Sequence, residues 1–300
     1  MCSLCFLAFR FESYVVFLRE IEIMLERTTY SPGEQIEGYV YVTTDDDFEY
    51  NAITLTMRGY EKTTVTRGSG KNRRVYRDKH DYINETVLLA EPGTLYPGDH
   101  RFDFALILPK EIPGSYYGIA GKIIYQIEAK IEVSWAIDPK TKQELFVAQT
   151  IEQISPQRKI GYIEHEGQSL LEIELERDTV EIGRDFTVRV RLNPVREFRC
   201  IRMELFHEEE VIADGYHDTA KRRISGWELP DEKLPPGVWV DVGMSTSTEF
   251  PLTFRTHLID SRYVLKFTID IPWRLDKKLE TPIAVTILNP AESSDPWFQY

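Results

Sequence analysis

The amino-acid sequence predicts an all-β protein built from two tandem β-sandwich domains. Apolar and polar residues alternate in many short runs, which Pro/Gly turns separate at intervals of about 8–12 residues, and this spacing is typical of sandwiches. No part of the chain sustains the 3.6-residue period of a helix. With 300 residues, the chain is long enough for about two domains that each bury a core.

A long internal repeat supports the two-domain interpretation. Residues 21–40 and 171–190 align without a gap, and each copy alternates, reaches a glycine and alternates again, as a strand, a turn and a returning strand would. The identical pairs are Glu22/Glu172, Ile23/Ile173, Leu25/Leu175, Glu26/Glu176, Arg27/Arg177, Thr29/Thr179, Gly33/Gly183 and Val40/Val190. Solenoid repeats have periods of roughly 20–50 residues, so this much longer period indicates two related domains.

The composition restricts the classes of function. A formal net charge of −13 argues against a general nucleic-acid binder, which needs a basic face to displace counterions from phosphates. It also disfavours adsorption to an anionic membrane through overall charge. Three cysteines, Cys2, Cys5 and Cys200, are too few for a disulfide framework. A reducing compartment is the simpler interpretation, and we expect a cytoplasmic protein, with peripheral contact with membranes left open.

Residues 1–18 are apolar but do not have the pattern of a targeting or membrane-spanning segment. Arg10 and Glu12 interrupt the apolar run, and the stretch is too short to cross a bilayer. We therefore expect no integral membrane segment, and we expect Tyr14–Leu18 to add a strand or an apolar flap to the first domain. The Cys2–Cys5 spacing lacks the second pair of a zinc site, so we expect no metal or other cofactor.

Turn signals and composition suggest the domain plan. We expect an N-terminal extension (1–18), a first sandwich (19–152), a linker (153–168), a second sandwich (169–290) and a C-terminal tail (291–300). A long hairpin with a basic tip is predicted over Thr63–Tyr82, and the clearest strand is Lys122–Trp135. In the second domain, Thr248–Phe254 is expected to be the counterpart of Arg101–Leu106, and the proline-rich Ser225–Gly237 an irregular excursion.

Several short motifs beyond residue 18 make the chain resemble the arrestin superfamily, in particular the arrestin-domain-containing (α-arrestin-like) proteins. In the N-terminal half they are Tyr30-Ser31-Pro32-Gly33-Glu34 with Ile36-Glu37-Gly38, Tyr96-Pro97-Gly98 with Phe102-Asp103-Phe104, Leu108-Pro109, Pro113-Gly114-Ser115 and Gly121-Lys122-Ile123-Ile124-Tyr125. The second half resembles the family more weakly and ends in Thr281-Pro282-Ile283. The resemblance implies two immunoglobulin-like sandwiches in tandem, the arrestin fold, acting as an adaptor without catalysis.

The sequence also departs from that family. Visual and β-arrestins have a long C-tail that docks back on the N-domain, whereas only twelve residues follow position 288 here, which makes phosphate-triggered release doubtful. The PPxY motif of many α-arrestins is absent, because Pro235-Pro236 is followed by Gly237-Val238.

The basic hairpin tip is the best candidate for partner recognition. It carries Lys71, Arg73, Arg74, Arg77 and Lys79. Arginine binds phosphate and carboxylate bidentately, so this tip could bind an acidic or phosphorylated tail, or anionic lipid. The competing interpretation is a solvated hairpin whose charges serve solubility.

Two short peptide motifs have competing interpretations. Asp295-Pro296-Trp297-Phe298 resembles an adaptor-binding motif with an aromatic anchor, although such short motifs often match by chance. Leu170-Leu171-Glu172-Ile173-Glu174 fits a clathrin-box pattern, but it lies in the repeated strand, and we expect its side chains to be structural.

No pattern supports a catalytic or metal site. The residues His207-Glu208-Glu209-Glu210, with Asp214, His217 and Asp218, have no ligand spacing, and an exposed acidic turn is the expected interpretation. There is no nucleophile elbow, no HExxH and no histidine next to a serine or cysteine in a known motif.

The sequence therefore predicts a non-enzymatic cytoplasmic adaptor or scaffold that binds partner proteins. Strand addition of an extended peptide or tail to a sheet edge is the expected mode, and the oligomeric state stays open. A retromer-like trafficking subunit or a prokaryotic sporulation-control relative is an alternative. A carbohydrate-binding module or hydrolase on a β-sandwich is another, which an exposed aromatic platform around Trp227 and Trp239, or a pocket with convergent carboxylates, would favour.

Overall fold

The computed structural model describes residues 18–134, 137–149, 155–165, 167–193, 198–230, 234–271 and 275–287. Within these ranges the regular structure is β-strand, apart from one short 3₁₀ turn, so the predicted all-β class is confirmed. None of the described residues lies in a helix that is long and apolar enough to cross a membrane.

The strands of the N-terminal half, numbered in chain order, alternate buried and exposed residues as predicted. They are β1 (Leu18–Leu25), β2 (Thr29–Tyr30), β3 (Gln35–Thr44), β4 (Phe48–Tyr50), β5 (Ala52–Arg67), β6 (Arg74–Ala90), β7 (Gly93–Leu95), β8 (Gly98–Ile107), β9 (Tyr116–Tyr117), β10 (Gly121–Glu132) and β11 (Lys140–Val147). The 3₁₀ turn Gly70–Asn72 joins β5 to β6 and forms the tip of the predicted hairpin.

The C-terminal half follows with ten strands in the described ranges. They are β12 (Lys159–His165), β13 (Gln168–Leu175), β14 (Thr179–Glu181), β15 (Asp185–Leu192), β16 (Cys200–Ala213), β17 (Tyr216–Pro230), β18 (Trp239–Ser245), β19 (Phe254–Arg255), β20 (Ile259–Asp270) and β21 (Lys277–Thr286). Strand β12 lies inside the stretch expected to be the linker, so that stretch is not irregular throughout.

The two halves repeat one sheet plan. Strand order β2-β11-β10-β5-β6 in the first half corresponds to β14-β21-β20-β16-β17 in the second, with β9 and β19 added beside β10 and β20. The opposing sheets are β1-β3-β8 and β12-β13-β15-β18. The arrangement is that of two β-sandwiches, as the repeat predicted.

The repeated sequence forms the same strand pair in both halves. Ile23 pairs with Val40 across β1 and β3, and Ile173 pairs with Val190 across β13 and β15. The glycine of each turn has a positive φ, 85° at Gly33 and 73° at Gly183, a conformation that side chains other than glycine rarely adopt. The predicted strand, turn and returning strand are therefore confirmed in both copies.

The inner faces of the strands form the cores. Ile123, Tyr125, Ile127, Ala129 and Ile131 are fully buried along β10, as the alternation of this segment predicted. The second core includes the clathrin-box-like stretch: Leu170 and Leu171 are buried in β13. Their structural interpretation is confirmed.

Two predictions for the C-terminal half are wrong. Ser225–Pro230 is not irregular, because β17 continues through it, paired with β16. Thr248–Phe254 is not the counterpart of the strand at Arg101–Leu106. Strand β18 occupies that position instead, because it pairs with β15 as β8 pairs with β3.

The chain divides into two compact units whose boundary falls inside strands β5, β6, β10 and β11. Unit 1 comprises the residues up to Gly59, Ile83–Glu111 and Tyr125–Phe146. Unit 2 comprises Tyr60–Tyr82, Ile112–Ile124 and the residues from Val147 onward. The distal half of the β5–β6 hairpin thus belongs to unit 2.

Candidate functional site

The β5–β6 hairpin brings the predicted cations together. Lys71 lies in the 3₁₀ turn, Arg73 follows it, and Arg74, Arg77 and Lys79 lie on the first half of β6, all of them exposed. Lys79 pairs with Asp81 at 2.6 Å and lies over the ring of Tyr60. The other four form no ion pair with the described residues, and we call these four, Lys71, Arg73, Arg74 and Arg77, the cationic tip.

Alternate side chains of β6 hold the hairpin against other strands of unit 2. The contacts are Tyr76 stacked on Tyr216 (ring centroids 4.1 Å apart), the Asp78 carboxylate accepting from the backbone N–H of Asp214 (3.3 Å), and His80 stacked on His257 (3.7 Å). Arg67 of β5 donates to the carbonyl of His217. Successive side chains of a strand point to opposite faces, so Arg77 points away from these contacts.

A buried carboxylate, Glu209 of β16, organises a second part of unit 2. The side chain of Glu209 is 0% exposed. It accepts hydrogen bonds from the backbone N–H groups of Ile119 (2.9 Å), Ala120 (2.6 Å) and Gly121 (3.0 Å) and from the hydroxyl of Tyr116 (2.5 Å). Burial, reinforced by this hydrogen bond, raises the pKa of Tyr116, so the phenol stays protonated and donates. We call this arrangement the Glu209 cap.

Glu61 of β5 forms a matching cap, also within unit 2. Its carboxylate is 0% exposed and accepts hydrogen bonds from the Thr256 hydroxyl (2.6 Å) and the Leu258 backbone N–H (3.1 Å). The imidazole Nδ1 of His257 lies 3.8 Å away. The capped turns are alike as well: Gly118 donates to Gly121 in one, and Thr256 donates to Ile259 in the other.

The acidic cluster at 207–210 is therefore not an exposed turn, as we expected from the sequence. His207, Glu208 and Glu209 are buried in the middle of β16. The Glu208 carboxylate pairs with Lys221 (2.5 Å) and Arg262 (3.2 Å), and these cations hold its pKa below the usual value despite burial. No cluster in the described ranges has the geometry of a metal site.

A groove on the outer face of the β1-β3-β8 sheet is a third feature. It has a volume of about 570 Å³ and lies in unit 1 over Gly38. The residues that line it are Met24, Leu25, Glu26, Glu37, Gly38, Tyr39, Arg101, Asp103, Phe104 and Ala105. Arg101 stacks on Tyr39 (4.0 Å to the ring centroid) and pairs with Asp103 (2.7 Å), so the cation of the groove is already neutralised.

The outer edge of β1 lies beside this groove. Among the described strands, β1 pairs only with β3, so its far side has no partner strand. The corresponding edge in the second repeat, that of β13, is covered by the antiparallel strand β12. The carbonyl of Met24 lies against Gly38 of β3, so the N–H groups of Ile23 and Leu25 point toward the open edge.

The other residues that the sequence suggested as binding or metal sites add little to a candidate functional site. Asp295-Pro296-Trp297-Phe298, Cys2 and Cys5 lie outside the described residues. Trp227 is 52% exposed, but the ring of Trp239 lies under the guanidinium groups of Arg189 and Arg191. At least one face of the Trp239 ring is therefore already in contact with cations.

Sequence reasoning missed both buried caps, although a signal existed. When β5 is aligned on β16, the inward-facing residues Ile53, Leu55, Met57, Gly59 and Glu61 match Ile201, Met203, Leu205, His207 and Glu209. A glutamate at the same place in two mainly apolar rows predicts a buried acceptor with a shared role. The repeated segments around Gly33 and Gly183 align at an offset of 150 residues, whereas these strands align at 148, so the first alignment does not superpose the two glutamates.

Comparison with known proteins supports the same family. Residues 20–153 match the family described as arrestin (or S-antigen), N-terminal domain. Arrestin domain-containing protein 1 of Rattus norvegicus is 33% identical over 115 residues, which are 38% of this chain and 26% of that protein.

Two further relatives align along most of the chain. Arrestin domain-containing protein 5 of Homo sapiens is 25% identical over 90% of this chain and 88% of its own length. Arrestin domain-containing protein A of Dictyostelium discoideum is 21% identical over 88% of this chain and 50% of that protein.

Two β-sandwiches with one strand order, repeated along the chain, are the architecture of the arrestin fold. Residues 20–153 belong to the arrestin N-terminal domain family, and this fold, with the relatives that align along most of the chain, supports membership of the arrestin superfamily and similarity to the arrestin domain-containing proteins. The predicted resemblance is confirmed. Arrestin-family proteins are in general adaptors that bind other proteins.

Proposed function

We propose that this protein is a non-catalytic cytoplasmic adaptor that binds an extended segment of a partner protein along the open edge of β1. The partner segment would pair with the backbone of β1 and place alternate side chains over the groove. Main-chain hydrogen bonds supply affinity in this mode of recognition, and side-chain pockets supply specificity.

The observation that carries the proposal is the difference between the two repeats. The sheet of the second repeat has four strands, because β12 covers the edge of β13, whereas the equivalent sheet of the first repeat has three described strands. Exposed edges carry unpaired N–H and C=O groups, which accept an added strand. Strand β12 is therefore an example, within the same chain, of how an added strand can pair with this edge of the sheet.

The cationic tip is proposed as a second, separate contact. Its four cations form no ion pairs with the residues that the structure describes, and the hairpin that carries them is fixed by stacking and hydrogen bonds of Tyr76, Asp78 and His80. A fixed cluster of guanidinium groups suits an acidic or phosphorylated tail.

The division of the chain into two sandwich domains at a linker over residues 153–168 is also retained as a proposal.

Replacement of Leu25 by proline tests the strand-addition mode. This substitution removes an N–H that points to the open edge, while the N–H groups that pair with β3 remain. Decapeptides selected by display on the wild-type chain are expected to lose at least about tenfold in affinity for Leu25→Pro, as main-chain hydrogen bonds are lost. Thermal unfolding checks that the variant is folded.

The matched control is Leu25→Ala, which shortens the same side chain but keeps the N–H. Peptides that bind Leu25→Pro and Leu25→Ala equally well would refute strand addition at this edge. If both variants bind the peptides more weakly than the wild type, and by the same factor, the side chain of Leu25 rather than its N–H contributes to binding.

A further inference from the structure

The outer face of β1 carries a row of carboxylates that have no cationic partner among the residues that the structure describes. Glu20, Glu22 and Glu26 are exposed and form no ion pair with the described residues. Met24, which is 43% exposed, lies between them in the row. Across the strand, Met24 faces Tyr39 and Glu22 faces Tyr41.

The second repeat neutralises the equivalent row with its own cations. Glu172, the counterpart of Glu22, pairs with Arg191 of β15. Glu174, the counterpart of Met24, pairs with Arg189 (3.1 Å) and with Arg158 (2.5 Å), which immediately precedes the edge strand β12. In the first repeat, tyrosines stand in β3 where β15 has these arginines.

The segment that covers the edge in the second repeat is itself basic. Arg158 pairs with Glu174, and Lys159, the first residue of β12, pairs with Asp178 at 3.3 Å. Arg158, just before β12, thus brings a cation to Glu174 of β13, and Lys159 brings one to Asp178 beyond the end of β13. The residues of β12 directly opposite Glu174 and Glu172 are Ile160 and Tyr162. The first repeat retains the carboxylates and, in its described residues, lacks both the strand and its cations.

The groove already contains a guanidinium-binding arrangement. The guanidinium carbon of Arg101 lies 4.0 Å from the centroid of the Tyr39 ring, and Arg101 pairs with Asp103. Stacking on an aromatic ring beside a carboxylate is favourable for guanidinium and ammonium groups. Glu22 beside Tyr41, and Glu26 beside the groove, offer further carboxylates of this kind.

We propose that the segment bound along β1 is cationic, with lysine or arginine at alternate positions opposite Glu20, Glu22 and Glu26 and an apolar residue opposite Met24. This inference rests on strand addition at β1 and specifies its ligand. The carboxylates along β1 would repel an acidic or phosphorylated tail. Such a tail is therefore assigned to the cationic tip. Binding also relieves repulsion within the carboxylate row.

A synthetic probe follows from the antiparallel pairing of β12. The acetylated, amidated nonapeptide Thr-Lys-Val-Leu-Val-Lys-Thr-Lys-Thr places lysine, leucine, lysine and lysine on one face, in the order of Glu26, Met24, Glu22 and Glu20. We expect this probe to bind the full chain in a fluorescence anisotropy titration, and binding to weaken as NaCl rises from about 50 mM to about 300 mM. The same peptide with glutamate in place of lysine is expected not to bind.

Charge reversal in the protein gives the decisive comparison. The double variant Glu22→Lys/Glu26→Lys is expected to bind the probe about tenfold more weakly or worse, since two favourable pairs become repulsive. The control Glu85→Lys/Glu176→Lys makes the same change in net charge at two exposed glutamates elsewhere and should retain wild-type affinity. Equal affinity of the two double variants would overturn the cationic ligand.

Two N-methylated probes separate this inference from strand addition itself. One carries N-methyl groups at the odd positions and the other at the even positions, so only one of them loses the N–H groups that face β1. If one loses affinity while charge reversal has no effect, strand addition stands and the cationic ligand is refuted. Equal affinity of both would refute strand addition, and absence of any binding to the full chain would overturn the inference.

Discussion

Glu61 and Glu209 occupy equivalent positions in β5 and β16, and each carboxylate caps a turn formed by the opposite half of the chain. Glu209 binds the turn at 118–121, which precedes β10, and Glu61 binds the turn at 256–259, which precedes β20. The two turns are themselves equivalent. Within unit 2, these exchanged caps connect the repeats to each other, and the cationic hairpin emerges from the same strand as Glu61.

The Glu209 cap is expected to be among the most sensitive positions in the chain. Glu209→Ala leaves three backbone N–H groups and the Tyr116 hydroxyl without their acceptor, so the free energy of unfolding should fall by about 3 kcal/mol or more. Tyr116→Phe removes one of these donors and should cost about 1 kcal/mol. Urea unfolding measures both values.

The neighbouring Glu210 supplies the control for this prediction. Its side chain is 30% exposed, pairs with Arg262 at 3.1 Å and lies 3.3 Å from His217, and a pair near the surface contributes about 0–1 kcal/mol. If Glu209→Ala and Glu210→Ala destabilise the protein equally, the cap has no special role.

Gly118 should tolerate no side chain. A Cβ at this position would overlap the Glu209 carboxylate and the Tyr116 hydroxyl oxygen, so Gly118→Ala is expected to displace the cap and cost about 2–3 kcal/mol. A Cβ added at Gly243 of β18 would meet no atom within 4 Å, and Gly243→Ala should change stability by less than about 0.5 kcal/mol. Chemical unfolding of both alanine variants tests the contrast, and an equal cost at both sites would contradict it.

His207 should make stability depend on pH near neutrality. Burial lowers the pKa of His207, whose Nε2 lies 2.9 Å from the Ser261 hydroxyl; the charges of Glu208, Glu209 and Arg222 also act on it. Because the unfolded imidazole binds a proton more readily, stability is lost as pH falls through the unfolded pKa of about 6.5. The lowered pKa of Glu208 acts only in the more acidic carboxylate range.

Unfolding free energies of the wild type and of His207→Gln, measured at about pH 7.5 and about pH 5.5, isolate this effect, because the interval spans the titration of histidine. The wild type should lose more stability on acidification than the variant does. A pH dependence that is unchanged by the substitution would show that His207 does not titrate on unfolding.

The cationic tip should act in binding and contribute little to folding. Replacing Arg73, Arg74 and Arg77 together by alanine should weaken an acidic or phosphorylated peptide most strongly at low salt, and leave stability within about 0.5 kcal/mol. Anisotropy titrations at two salt concentrations measure the effect. Arg67→Ala is the contrasting variant, because Arg67 bonds the His217 carbonyl and should affect the hairpin's packing. If the triple variant binds the peptide as tightly as the wild type does, the cationic tip is not its binding site.

Much of the fold could be predicted because it depends on local patterns. The repeated alternation around Gly33 and Gly183 predicted β1, β3, β13 and β15 with their turns, since inside/outside alternation and positive φ leave a direct trace in sequence. The error over Thr248–Phe254 arose because a short alternating run resembles a strand whether or not a neighbour is available to pair with it. Strand β18 lies beside β15 and pairs with it.

The candidate site was less predictable because its parts are distant in sequence. The tip cations are contiguous and were predicted together, whereas Glu209 and its donors at 116–121 are about ninety residues apart. A buried carboxylate and an exposed one look the same in a charged run such as Glu208–Glu210. Only the apolar row on the same face of β16 distinguishes Glu209.

Backbone amide exchange along β1 tests the central claim most directly. Hydrogen–deuterium exchange of the full chain, with and without a saturating bound segment, reports which N–H groups acquire a hydrogen-bonded partner. Strand addition predicts slower exchange at Ile23 and Leu25 on binding, with residues 71–77 of the tip unchanged. Unaltered exchange along β1, with protection confined to the tip or to another sheet edge, would contradict the account.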